Sequence, residues 1–136
     1  MNNLIFDTET NGLPKSWGAS PYRTDNWPRI LTLAWQLWEV PGTDMSNPTL
    51  QTKGEYLIAP PADIVWDAEA EKIHGISLDR ARRDGRPAAT VFPEFVNIVR
   101  RADLIVAHNM AFDKTVLICE LIRLDSRFAM DWWPRF

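Results

Sequence analysis

Asp7 and Glu9 stand two residues apart at the end of NLIFDTE, where the apolar run Leu4, Ile5 and Phe6 predicts a β-strand. Side chains two apart on a strand share a face, so these carboxylates converge. Like charges held together call for a cation, and Mg²⁺ or Mn²⁺, which take oxygen ligands, would supply it. On its own the pair equally fits a polar strand end leading into a turn. An EF-hand reading of Asp7, Glu9, Asn11 and Gly12 fails, because position twelve is Gly18 rather than Glu and the preceding segment is not helical. A second group, His108-Asn109 and Phe112-Asp113, follows the apolar stretch LIVA. Asp113 falls in the first turn of an expected helix, where a carboxylate gains about 0.3–1 kcal/mol from the helix dipole. Ligation and plain helix-start chemistry both remain open for it.

These groups need strands that end at one place. Asn3 to Glu9 reads as the first strand, Asn11 to Arg29 as a Gly/Pro/Ser/Asn-rich loop, and Ile30 to Val40 as a second strand. Pro41 to Pro48 is turn material, and Gly54 to Ile58 reads as a third, hairpin-paired strand. Short helices are expected over Asp67 to His74, closed by Gly75, and from a Ser77 cap through Arg83. Thr90 is a candidate cap for a helix to about Arg101, with Pro93 in its first turn. Leu104 to Ala107 is a short buried strand, and Ala111 to Leu124 an apolar helix. The order predicts an α/β fold with a mixed sheet, its first three strands an antiparallel meander.

The chain has 136 residues, net charge -3, 46% hydrophobic and 24% charged residues, the profile of one soluble globular domain. No run is long enough for a membrane span, and the N-terminus lacks the pattern of a secretory signal. One cysteine, Cys119, fits a reducing, cytoplasmic setting. The acidic balance argues against coating nucleic acid with positive charge, but not against holding a short strand through metal ions.

Together, IFDTETNGLP (Ile5 to Pro14) and LIVAHNMAFDKTVL (Leu104 to Leu117) resemble the DEDD superfamily of 3′–5′ exonucleases, with EAEKIHGISLDRARRDGRPAATVFPEF between them similar to its connecting region. The resemblance runs from residue 3 to residue 124 and implies an RNase H-like fold. It implies that Asp7, Glu9 and Asp113 are three of four metal-binding carboxylates, holding two Mg²⁺ or Mn²⁺ ions in the complete family site. Thr10, Asn11, Gly12 and Leu13 match the segment receiving the terminal nucleotide, and Ile76, Asn109 and Phe112 match positions lining the pocket for the last base. His108, beside them in the second motif, is expected to contact substrate as well. The implied substrates are single-stranded DNA or RNA 3′ ends, the products nucleoside monophosphates, and the His-Gly-Ile element His74 to Ile76 is more similar to the His subclass. A polymerase subunit is a partner the family suggests.

The family's third motif, a carboxylate preceded by a His or Tyr base, has no match: the 23 residues after Asp113 contain neither, and Asp125 and Asp131 lack such a base. The expectation is therefore an exonuclease domain over 1–136 that is incomplete at its C-terminus. The alternative function is a catalytically incomplete interaction module needing a complementing C-terminal segment, with Trp132, Trp133 and Phe136 marking where it packs. Arg80, Arg82, Arg83 and Arg86 could touch phosphate, although interleaved Asp79 and Asp84 favour a solvated face. Trp17 and Trp27 could stack on bases or pack over the sheet edge. Trp35, Trp38 and Trp66 are expected in or near the core.

Overall fold

The computed structural model describes residues 1–42 and 46–125. Eight elements follow one another: β1 (Asn2–Thr10), β2 (Ile30–Glu39), β3 (Thr49–Leu57), α1 (Ala68–His74), α2 (Leu78–Asp84), α3 (Ala88–Val99), β4 (Leu104–Val106) and α4 (Met110–Leu124). The strands form a single sheet in the order β3-β2-β1-β4. The β1–β2 and β2–β3 pairs are antiparallel, and β4 lies parallel to β1. This is the mixed sheet expected from the sequence.

Alternation along β1 sorts its side chains. Leu4, Phe6 and Thr8 are buried, whereas Ile5 and Asp7 are exposed on the other face. The buried face carries the core: Leu33, Trp35 and Leu37 of β2 join Val91, Phe92, Phe95 and Val96 of α3 and Val116, Leu117, Ile118 and Leu121 of α4. The Phe6 and Phe95 rings meet at 5.6 Å. The opposite face leaves Ile5, Leu104 and Val106 exposed, so β4 is not the buried strand expected from the sequence.

The caps follow the local sequence. Asp67 accepts hydrogen bonds from the N–H groups of Glu69 and Ala70 to start α1, and Gly75 ends it at φ 72°. Ser77 caps α2 through the N–H of Arg80. Two boundaries differ from expectation. β3 begins at Thr49, five residues before Gly54, because this edge strand runs through polar positions that resemble a turn. α3 starts at Ala88, with Pro87 rather than Thr90 at its cap. Pro87 presets the entry, and its carbonyl accepts from the N–H groups of Thr90 and Val91. Pro93 consequently lies inside the helix instead of in its first turn. Trp35 is buried in the core, while Trp38 and Trp66 are half-buried. Asp131, Trp132, Trp133 and Phe136 lie outside the described residues. Among those described, no helix is long and apolar enough to cross a membrane.

Candidate active site

The C-terminal end of β1 delivers the first carboxylates. Its register against β2 slips between Glu9 and Thr10, a bulge of the kind that re-aims side chains at the rim of a sheet. Beyond it the chain turns sharply. The Thr10 hydroxyl donates to the Gly12 carbonyl at 2.9 Å, and Gly12 itself adopts φ +104°. Asn11 fastens this turn to the entry of α1: its Nδ2 donates to the Val65 carbonyl at 2.8 Å, and its Oδ1 accepts from the Asp67 N–H at 2.9 Å.

β4 runs parallel to β1 and brings α4 to the same end of the sheet. Asp113, only 3% exposed, sits in the first turn of α4. Its Oδ1 accepts from the Thr8 hydroxyl at 2.6 Å and its Oδ2 from the Asn109 N–H at 3.3 Å. Burial raises the proton affinity of Asp113 above the ordinary carboxylate value; the Thr8 bond opposes this, and the nearby negative charge of Asp7 adds to it. The three carboxylates therefore gather at one end of the sheet. They do not surround one point: among the described residues, no group of three or more His, Cys, Asp or Glu side chains is arranged to hold a metal ion. The all-oxygen donor set suits a hard divalent cation, and Asp7 is close enough for its charge to act on Asp113. Both Asp113 oxygens, however, are engaged by Thr8 and Asn109.

Next to the carboxylates lies a cavity of about 340 Å³, lined by Thr8, Glu9, Thr10, Gly12 and Leu13 on one side and by Asp67, Ala70, Ile73 and His74 of the α1 region on the other. Asn109, Phe112 and Trp17 complete it. Of the residues singled out from sequence, Glu9, Thr10, Gly12, Leu13, Asn109 and Phe112 line this cavity. Asp7 lies in a shallower groove with Ile5, Gln36 and Lys53, and Asn11 in another beside Val65. Ile76 is buried and His108 exposed, both outside the cavity wall.

Among the lining residues that the sequence did not single out for the site are His74 and Ile73. His74 belongs to the recognised His-Gly-Ile element; its Nδ1 accepts from the Ile76 N–H at 3.0 Å, so a neutral ring carries its proton on Nε2, a buried atom with no partner. Ile73 is 85% exposed at the rim, and only its place on α1 beside the cavity reveals it. The two loop tryptophans divide: Trp27 is buried behind Phe112, and Trp17 is exposed beside the cavity. The basic cluster is partly neutralised by its neighbours, Arg83 by Asp84 and Arg86 by Glu94, with Arg86 also over the Tyr56 ring.

No family model matches the chain, and no curated protein matches it. Solved structures do. Escherichia coli exonuclease I in complex with a dT13 oligonucleotide matches over 90% of this chain with a TM-score of 0.69 at 20% identity. An exonuclease I complex with an SSB C-terminal segment gives 0.68 at 20% over the same share. A moderately thermophilic exonuclease I from Methylocaldum szegediense gives 0.64 at 22%, again over 90%. In each case the match spans 24% of the neighbour's own chain. The mixed sheet with its flanking helices is thus the fold seen in exonuclease I, over a stretch about a quarter of that enzyme's length.

Proposed function

We propose that this chain carries the nucleotide-binding and first metal-binding segments of a DEDD-type 3′–5′ exonuclease that removes nucleoside monophosphates from single-stranded DNA. The observation that supports it most is the gathering of Asp7, Glu9 and Asp113 at one sheet end, beside a cavity of about 340 Å³. That volume suits a single nucleotide, since small-molecule pockets start at about 300 Å³. The oligonucleotide held by the E. coli structure favours DNA over RNA as substrate.

Asp7, Glu9 and Asp113 are the residues that would hold Mg²⁺ or Mn²⁺. Bound there, such ions supply activation of a water and neutralisation of charge at the leaving 3′ oxygen. The chain's own groups bind and orient. Thr8 fixes one oxygen of Asp113, and the Thr10 hydroxyl holds the turn that brings Gly12 and Leu13 to the cavity. Leu13 and Phe112 offer apolar surface to a base, suited to binding without sequence preference.

The test is release of mononucleotides from a 3′-labelled single strand with Mg²⁺ or Mn²⁺, and its loss in Asp7→Ala, Glu9→Ala and Asp113→Ala. Release that persists in all three variants overturns the reading. A second reading, a module that binds nucleotide but does not cut alone, is favoured by the engagement of both Asp113 oxygens. Calorimetric counting of bound Mn²⁺ separates the two, with two sites expected for the first reading and at most one weak site for the second.

A further inference from the structure

We propose that Trp17 is a stacking platform for the nucleobase in the 340 Å³ cavity, an assignment that rests on the nucleotide-binding reading above. Trp17 is 60% exposed, an unusual state for the largest side chain, yet it is not a loosely held loop residue. Asn26, itself buried, fixes the backbone just before it: its Oδ1 accepts from the Ser16 N–H at 2.8 Å, its Nδ2 donates to the Ser16 carbonyl at 2.9 Å, and its own carbonyl accepts from the Lys15 N–H at 3.0 Å. The Ala19 N–H returns to the Ser16 carbonyl on the other side.

The ring is steadied as well. The Trp17 and Phe112 centroids lie 5.7 Å apart with planes inclined at 49°, and Phe112 is backed in turn by Trp27 at 6.5 Å. Trp27 is anchored by its Nε1–H to the Ser20 carbonyl at 3.1 Å. The inclination between Trp17 and Phe112 matters. Two rings at that angle cannot both lie flat on one base, so one stacks and the other meets the base edge. Trp17 has the larger π-surface and the exposed face. The exposed side chains of Leu13 and Ile73, which also line the cavity, add two further apolar surfaces. A flat, apolar-faced heterocycle fits this ring of surfaces better than a phosphate or a sugar does. Because stacking grows with overlapped area, a purine gains more from Trp17 than a pyrimidine.

The test is calorimetric titration of the whole chain, in Mg²⁺, with deoxyadenosine monophosphate, thymidine monophosphate and deoxyribose 5-phosphate. Wild type is expected to bind the purine nucleotide more tightly than the pyrimidine one. Trp17→Ala should weaken purine nucleotide binding by about tenfold, within the usual range for one lost base stack. It should narrow the purine–pyrimidine gap and leave deoxyribose 5-phosphate unchanged; Trp17→Phe should restore most of the loss. Equal losses for all three ligands would mark Trp17 as merely structural and overturn the proposal. Unchanged purine nucleotide binding in Trp17→Ala overturns the platform while leaving the exonuclease reading intact. Failure of wild type to bind any nucleotide overturns both.

Discussion

The Thr8 hydroxyl donates to Asp113 Oδ1 at 2.6 Å across 105 residues of sequence. Thr8 sits between Asp7 and Glu9 in the chain but is buried on the helix-covered face of β1, so one strand end supplies two carboxylates and the anchor of a third. Thr8→Val keeps the shape and removes the donor. A buried carboxylate then loses its strongest partner, and stability should fall by about 2 kcal/mol in urea unfolding. Thr8→Ser should recover most of it. A change below about 0.5 kcal/mol in Thr8→Val would show that Asp113 does not depend on this bond.

Glu120 is a second buried carboxylate with a purely architectural task. It accepts from Arg29 Nε at 3.0 Å, from the Ile30 N–H at 3.0 Å and from Arg123 Nη1 at 3.1 Å. Arg123 also donates to the Thr24 and Trp27 carbonyls, tying α4 to the loop that carries the tryptophans. Glu120→Ala leaves two guanidinium groups short of a partner and should cost about 3–5 kcal/mol by chemical denaturation. A loss within surface-substitution range would mean solvent replaces the carboxylate.

Gly12 is required twice over. Its φ of +104° disfavours any L side chain, and an added Cβ would stand 2.8 Å from Asp67 Oδ2. Gly12→Ala should lower stability by roughly 1–2 kcal/mol and weaken nucleotide binding, because the turn and the α1 entry shift together. Gly18→Ala is the control, since nothing lies within 4 Å of its added Cβ. Thermal melts of both variants decide it: equal melting temperatures would defeat the prediction.

Cys119 is buried in α4, and burial pushes its thiol up from about 9.0 to about 11. The neutral thiol is favoured in the fold, so this contribution is fully present below pH 9.0 and is lost as pH rises through about 11. The native chain should resist thiol reagents at neutral pH and react once unfolded in urea. Rapid labelling of the folded chain would contradict the placement of Cys119.

Much of this arrangement is legible in the sequence, because several elements state their own limits. Asp67 and Gly75 bracket α1, Ser77 caps α2, and the spacing of Asp7 and Glu9 puts them on one strand face. Other features depend on partners far along the chain. Nothing local marks Thr8 as the anchor of Asp113, or assigns the Asn11 side chain to the Val65–Asp67 segment rather than to the cavity. β3 is understated because an edge strand can alternate polar side chains without a buried face to reveal it. Trp17 and Trp27 are chemically identical and both meet Phe112, so nothing local tells that Trp27 is covered and Trp17 exposed.

The parallel pairing of β1 with β4 also joins the two most distant strands of the sheet in sequence. Asn2 and Asp103 are joined by two backbone-to-partner hydrogen bonds, the N–H of Asn2 to Asp103 Oδ2 at 2.7 Å and the N–H of Asp103 to the Asn2 carbonyl at 2.8 Å. Closing a loop of that length is entropically slow compared with forming the β1–β2–β3 meander or any one helix. The carboxylate cluster thus depends on the longest-range pairing of the sheet: with β4 detached from β1, Asp7 and Glu9 stand without their third partner.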